Sequence, residues 1–499
     1  MTFIEYQSLT PSQKAAYKVK EFFSLLPGRL KAIVAAIGKF FKNLCLSIVA
    51  GVKGYGSRFS KGDFATKLSY IIMGFGNFTR GQVGKGLAFL AAEVLYIAYM
   101  AGFGLKWMDM FDTLGLKQSE QVVDQVTGLV TSIPGDNSML ILLYGTMTIL
   151  LSVVFFFVYI ANTKAAYEAE QSIKAGKKNL TLKEELEDFL DGKYHVTMLA
   201  FPVLLISVFT ILPLVFMILI AFTNYNAQHT PPGSLFTWVG FDTFKEVFKK
   251  SDGASKGYTF VSLTKWTIVW AIFATFTNYI FGMITALMIN KKSIKFKSLW
   301  RTLFVITIAV PQFVSLLLMN QILQDDGVLN VIRGYMGLAP ISFFNGKAIT
   351  ARITVIIINM WVGVPYTILQ TSGILMNIPE DLYESARIDG ATPVVQFFQI
   401  TLPYMLFVTT PYLIQSFVGN INNFNVIYLL TNGGPSKNPN LYQAGDTDLL
   451  VTWLFKLTMN SNDYNTAAAV GILVFIVCAT LSLITFNLSK SSRNEEEFS

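Results

Sequence analysis

Two apolar stretches carry neutral polar side chains at helical spacing. Thr409, Tyr412, Ser416, Asn420 and Asn423 are 3, 4, 4 and 3 residues apart, and Asn359, Gly363, Tyr366 and Gln370 are 4, 3 and 4 apart. Such spacing places each set on one face of a helix. Amides, hydroxyls and phenol edges exchange hydrogen bonds without holding a ligand by charge, and a ring can cover an apolar patch. This is the chemistry that a neutral polyhydroxylated ligand such as a sugar requires. A duller role competes with it, because Ser, Thr and Asn also hydrogen-bond across transmembrane helices. A lone Asn favours that second role, whereas two such faces on neighbouring segments favour a ligand path. Pro365 and Pro411 lie in the same stretches and predict kinks.

The elements that position these residues are membrane spans. The chain is 53% hydrophobic and only 14% charged, against about 25% charged residues in soluble domains. Stretches near 86–105, 140–161, 198–222, 260–289, 301–323, 352–374, 403–430 and 466–488 are apolar enough to cross a bilayer. The fold class is therefore an all-α polytopic membrane protein with about eight transmembrane helices. Basic residues concentrate in three places: residues 1–80, the link with Lys164, Lys174, Lys177, Lys178, Lys183 and Lys193, and the link with Lys291, Lys292, Lys295, Lys297 and Arg301. The link between the first two spans has only Lys106 and Lys117, while the outer segment 224–259, with four lysines, is the weakest point of the pattern. The balance puts both termini on the cytoplasmic side.

The net charge of +8 reflects this cytoplasmic excess, and its distribution over links excludes a nucleic-acid-binding face. Cys45 and Cys478 sit far apart in apolar surroundings and make neither a disulfide framework nor a thiolate metal site. No cleavable signal is expected, because the first long apolar run begins only after about 85 residues. The basic leader, amphipathic over Leu30–Ala50, reads as a cytoplasmic segment lying on anionic lipid, with a ninth, partly inserted segment as the alternative. Glu495–Glu497 read as a solvated tail.

Between spans six and seven the chain runs N-I-P-E-D-L-Y-E-S-A-R-I-D-G-A-T-P-V-V-Q-F-F-Q-I-T-L-P, residues 377–403. Pro379 fits a helix start, and Glu380 and Asp381 suit the positive end of its dipole. Gly390 can stop that helix in the left-handed conformation. Thr392 then caps a second helix with Pro393 in its first turn, presenting Val394, Phe397, Phe398 and Ile400 as an apolar side. These residues alone describe a short, rigid surface helix pair and leave open an ordinary interfacial loop.

Glu384, Ala386, Gly390, Ile400, Leu402 and Pro403 match the EAA-loop pattern of binding-protein-dependent ABC permeases. That pattern has an E-x-A core, a Gly four residues after the Ala, nine intervening residues and I-x-L-P; Ser385 stands where it has a central Ala. F-T-N-Y at 222–225, W-V-G-F-D-T-F at 238–244 and T-N-G-G-P at 431–435 resemble sugar-permease landmarks. Two spans ahead of a six-span core, together with S-F-V-G-N-I-N-N-F at 416–424, resemble the MalF branch of maltose and maltodextrin permeases. The outer segment 224–259 is too short for the large insertion of enteric homologues, so the likeness is to Gram-positive forms.

The resemblance implies a domain order of a basic N-terminal segment (1–85), two accessory spans (86–196), a six-helix ABC-importer permease core (197–490) and an acidic tail (491–499). It implies that 377–403 is a coupling loop docking on a cytoplasmic ATPase, with Glu384 as an anchor. It places sugar contacts at Asn359, Val362, Gly363, Tyr366, Ser416, Asn420 and Asn423, and more weakly at Ser315 in P-Q-F-V-S, with Gly363 letting a ring approach the backbone. It further implies a MalG-like second permease, two ABC ATPases that hold ATP and Mg, an extracellular sugar-binding lipoprotein and a bacterial cytoplasmic membrane. The cargo is expected to be maltodextrin or maltose, with raffinose-type or other oligosaccharides as the alternative.

Two absences agree. The central thirds of spans three to eight carry almost no charge, whereas ion-coupled carriers keep intramembrane Asp, Glu or His. Glu93 in span one is expected to be paired within the protein, and His195 and His229 fall in loops. The chain has no G-x-x-x-x-G-K-[ST] phosphate cradle, so the ATPase is expected on a separate polypeptide and no cofactor on this one. A membrane-embedded transferase would need an acidic or metal-binding set near the membrane face, and none stands out.

Overall fold

In the computed structural model, residues 45–118, 120–123, 130–133, 135–180, 194–249, 253–291 and 293–488 are described, with isolated positions elsewhere. Most of the basic leader before residue 45, including part of Leu30–Ala50, and the acidic tail 491–499 lie outside them. The chain forms two compact units, Met1–Trp238 and Val239–Ser499.

Among the described residues, seven helices are long and apolar enough to cross a membrane: Val83–Asp109, Ser138–Lys174, Met198–Ile220, Lys256–Asn290, Ala348–Leu375, Pro393–Thr431 and Tyr464–Ile484. A further pair of helices, Lys297–Ala309 and Gln312–Ile322, is apolar enough together and is bent by 88°. With that pair taken as one span, the eight expected spans are all present. The bend has a local cause. Pro311 supplies no N–H and disfavours helix at Val310, whose ψ is 122°. Pro365 and Pro411 lie inside helices that continue through them. Near Pro213 and Pro403 the chain instead widens into π turns, Ser207–Ile211 and Phe397–Thr401, where Leu212 and Leu402 donate five residues back. A wider turn relieves the clash of a proline ring with the preceding carbonyls. Among the described residues the exception to an all-α fold is a small hairpin in the link between spans one and two, β1 Glu120–Val123 antiparallel to β2 Val130–Ile133.

In the first unit, span two is 37 residues long. At about 1.5 Å per residue it greatly exceeds a hydrocarbon core of roughly 30 Å. Its far end packs against the segment leading into span one. Asn162 bridges that segment, accepting from Gly74 N at 2.8 Å and donating to Ser69 O at 2.8 Å. Buried Glu170 accepts from Asp63 N at 3.0 Å and Thr66 Oγ1 at 2.7 Å, and pairs with Lys174. Arg80 pairs with Asp63 and donates to Thr66 Oγ1 at 2.8 Å. Burial raises the Asp63 carboxyl, but hydrogen bonds from Arg80 and Thr66 outweigh it and hold the group below its ordinary value. Glu93 accepts from Met73 N at 2.8 Å, so it is indeed paired within the protein.

In the second unit, span four is the central post, packed against spans six and seven. Trp266, Trp270 and Ala274 pack with Leu316, Val355, Ile358, Val426 and Leu430 in the main core. Two glycines make the crossing of spans four and six close. A Cβ on Gly282 would meet Thr367 Cβ at 2.5 Å, and one on Gly363 would meet Asn278 Nδ2 at 2.1 Å. Small residues at such crossings let backbones approach.

The connection between spans seven and eight is tied to a buried charge. Asp448 accepts from Gly445 N at 2.7 Å, Thr452 Oγ1 at 2.8 Å and Lys456 Nζ at 2.6 Å. Lys456 also donates to Asn432 O at 2.7 Å. Arg352 sits 4.4 Å from the Trp266 ring centroid and donates to Asp446 O at 2.9 Å.

Candidate functional site

The bend of span five opens a recess of about 250 Å³ against span six. Thr307, Val310, Gln312, Ser315 and Leu318 line one side, and Trp361, Val362 and Tyr366 the other. The polar groups are neutral: two hydroxyls, an amide, an indole and a phenol. Trp361 and Tyr366 are about half exposed, at 50% and 49%. The recess is smaller than the ~300–1,000 Å³ typical of sites that enclose a drug-sized ligand. Ser315, Val362 and Tyr366, all expected from the sequence, meet here. Thr307, Gln312 and Trp361 were not singled out, although Gln312 stands inside the P-Q-F-V-S motif quoted for Ser315 and Trp361 lies next to Val362.

The other expected contacts fall elsewhere. Asn359 lies within a turn of this wall, buried, and its Nδ2 has no partner. The space beside Gly363 is held by the Asn278 amide, not open to a ring. On span seven, Thr409 shares a 2.7 Å hydrogen bond with Tyr279 of span four. Asn420 donates to Thr275 Oγ1 at 3.0 Å, while its carbonyl accepts from Trp270 Nε1 at 3.0 Å. Asn423 donates to Asn420 Oδ1 at 3.3 Å and caps the helix Phe424–Thr431 by accepting from Val426 N. Ser416 is half-buried. In this conformation Asn420 and Thr409 join helices, so Asn420→Leu should lower thermal stability of the purified chain by about 0.6 kcal/mol, in line with other interhelical hydrogen bonds in membranes. Unfolding curves in detergent would check this, and an unchanged midpoint would argue against the bond.

The loop 377–403 is built as its sequence predicts. Pro379 precedes the helix Glu380–Ile388, which carries Glu380 and Asp381 in its first turn. Gly390 has φ +79°. Ala391 N donates to Ala386 O at 2.9 Å and Gly390 N to Arg387 O at 3.0 Å, the two bonds of a Schellman stop. Thr392 caps the following turn by accepting from Val395 N, with Pro393 in first position. The Tyr383 hydroxyl, 2.8 Å from Thr401 Oγ1, fastens the first helix to the second. Glu384, Ser385 and Gly390 are exposed, and Ala386, Ile400 and Leu402 are half-buried. Pro403 is exposed. Ile388 is 86% exposed and Leu382 47%, so a rigid acidic helix presents apolar side chains outward.

Comparison with known proteins gives this geometry a context. Residues 278–493 match the family described as "Binding-protein-dependent transport system inner membrane component". The chain is 34% identical to the galactooligosaccharides transport system permease protein GanP of Bacillus subtilis (strain 168), over 85% of this chain and 97% of that one. It is 33% identical to the maltodextrin transport system permease protein MdxF of the same organism, over 85% and 95%. A chain in the crystal structure of a bacterial alginate ABC transporter, in complex with an alginate pentasaccharide-bound periplasmic protein, shares the fold. Its TM-score is 0.50 and its identity 22%, over 61% of this chain and 96% of that one. The chain is therefore a multi-pass membrane protein of the binding-protein-dependent transport family, a permease component of an ABC transport system.

Proposed function

We propose that this permease carries maltodextrin-type oligosaccharides inward, driven by ATP hydrolysed on separate subunits. The observation that supports the cargo best is the neutral recess between spans five and six. Hydroxyl, amide and aromatic edges meet there at a break in the membrane-spanning backbone, without a fixed charge. A sugar ring stacks on Trp361 or Tyr366 while Ser315 and Gln312 exchange hydrogen bonds with its hydroxyls. Asn359, with an unsatisfied buried amide, extends the same wall. Ser416, Asn420 and Asn423 of span seven contribute when the path changes state.

The loop 377–403 is the coupling element, held by a cytoplasmic ATPase that carries ATP and Mg. Its exposed Leu382 and Ile388, flanked by carboxylates, suit a partner groove with a basic rim. Two such ATPases, a related MalG-like second permease and an extracellular sugar-binding lipoprotein complete the complex, which sits in the cytoplasmic membrane with both termini inside. Co-purification with quantitative mass spectrometry tests the assembly, and a preparation without an ATPase would overturn it.

The match to a galactooligosaccharide permease favours one second reading, a β-galactoside chain as cargo. Uptake of radiolabelled maltotetraose against galactotetraose separates the two. For whichever sugar is carried, Tyr366→Ala should raise the half-saturating concentration for uptake about tenfold, the loss of ~1.4 kcal/mol of contact. Expression should be unaffected, since the side chain is half exposed. An unchanged value would remove Tyr366 from the path.

A further inference from the structure

The segment before span one is a folded body with one side uncovered. Residues 45–61 are helical and almost wholly exposed; only Gly54, Tyr55 and Arg58 are partly covered. A helix of this length with so few contacts is marginal in water. Its apolar side chains Leu46, Ile48, Val49, Val52 and Phe59 are all exposed. The turns that follow expose Phe64 at 77%, Ile71 at 74% and Phe78 at 50%. Beneath them the segment is pinned by Asn162, Glu170 and Arg80, and by a ring of tyrosines. The Tyr55 hydroxyl lies 2.9 Å from that of Tyr159, and the Tyr70 hydroxyl donates to Tyr55 O at 3.0 Å. The exposed apolar side chains are thus held outward by a fixed base.

The charge on this body has one sign. Lys53, Lys61 and Lys67 are exposed, and between residues 45 and 92 the sole carboxylate is Asp63, which is occupied by Arg80. The chain passes directly from here into span one at Val83, so the body is tethered at the bilayer face. Apolar side chains beside lysines, at the level where a span begins, fit the boundary of headgroups and acyl chains.

We propose that residues 45–82 form an interfacial platform that seats Phe64, Ile71, Phe78 and the apolar residues of the helix 45–61 in the bilayer surface and binds anionic phospholipid headgroups through Lys53, Lys61 and Lys67. The platform docks the membrane-facing side of the bundle on lipid. Its pinned side fixes where the cytoplasmic extension of span two stands.

The test uses the full transporter in phosphatidylglycerol-containing bilayers, spin-labelled at the native, exposed Cys45 and, separately, at Ile71→Cys; Cys478 is buried. Both labels should be reached by oxygen and shielded from a nickel chelate, relative to a label at the exposed position 177. Free access of the chelate would place the segment in water, and exclusion of both reagents would place it under protein; either overturns the proposal. The triple variant K53Q/K61Q/K67Q should lose its preference for phosphatidylglycerol over phosphatidylcholine by roughly fivefold per lysine, read as lipid retained per chain. An unchanged preference overturns the headgroup assignment. Neither readout depends on which sugar is carried or on ATPase coupling.

Discussion

Gly390→Val should leave the chain inserted and stable while uptake and sugar-stimulated ATPase both fall by more than about tenfold. The residue has φ +79°, and a Cβ there meets nothing within 4 Å. A side chain therefore fits the space but not the backbone. The left-handed conformation costs an L-residue roughly 1–2 kcal/mol, and a β-branched one suffers most. The cheapest relief is to rotate residue 390 back to the right-handed region. That breaks the bonds from Gly390 N and Ala391 N and re-aims the Glu380–Ile388 helix. A helix that has lost its stop no longer presents Leu382 and Ile388 to a partner in one pose, so force is not passed on. Gly390→Asn is the control, since Asn tolerates positive φ, and it should keep most activity. Normal uptake and ATPase in the valine variant would refute a coupling role.

Lys456→Met should be the most destabilising single change outside the membrane-facing surface. Asp448 is fully buried, and the Lys456 ammonium at 2.6 Å balances its charge. Removing one member of a buried pair leaves the other uncompensated, at a cost of about 3–5 kcal/mol. Two glycines show how tightly the surroundings are drawn. A Cβ on Gly433 would lie 2.1 Å from the Asp448 carboxylate, and one on Gly445 would lie 2.1 Å from Gly433 O. The loop around Gly433, Gly445 and Leu449 would loosen, exposing Trp453, which is buried and donates to Tyr442 O at 2.8 Å. A lowered melting midpoint with increased acrylamide quenching of tryptophan is the expected result. The double variant D448N/K456M should recover part of the loss, because it removes both charges. A single variant as stable as the parent would mean that Asp448 takes its proton from solvent and holds the loop without its partner.

The sequence disclosed more about elements than about their neighbours. Eight spans followed from hydropathy, and the caps at Thr392 and Gly390 followed from local turn chemistry that needs no tertiary partner. The break in span five was written at Pro311, yet an apolar run of ordinary length hid it. Pro365 and Pro411, expected to kink their helices, lie inside helices that continue through them, since a neighbouring helix can absorb the lost bond. The polar faces show the same limit. Spacing put Thr409, Asn420 and Asn423 on one side of span seven, but it could not say that span four would lie against that side. Tyr279 and Thr275 were in plain view in the sequence, and only packing pairs them with Thr409 and Asn420. Gly363 was expected to let a ring approach the backbone; the Asn278 amide holds that space instead. Ser315, the weakest of the expected contacts, opens on the recess because it follows the break.

The 88° break of span five also has an electrical consequence. The helix Gln312–Ile322 begins at Pro311 with no side chain closing its first turn. Gln312, which lines the recess, thus stands in the first turn, at the positive end of the helix dipole. Such an end attracts the lone pairs of hydroxyl oxygens and repels sodium, potassium and hydronium. A path wide enough for a sugar would otherwise conduct ions each time it opened, dissipating the membrane potential. Were the recess part of the proposed path, the half-helix would set a fixed positive barrier there without placing a formal charge in the bilayer.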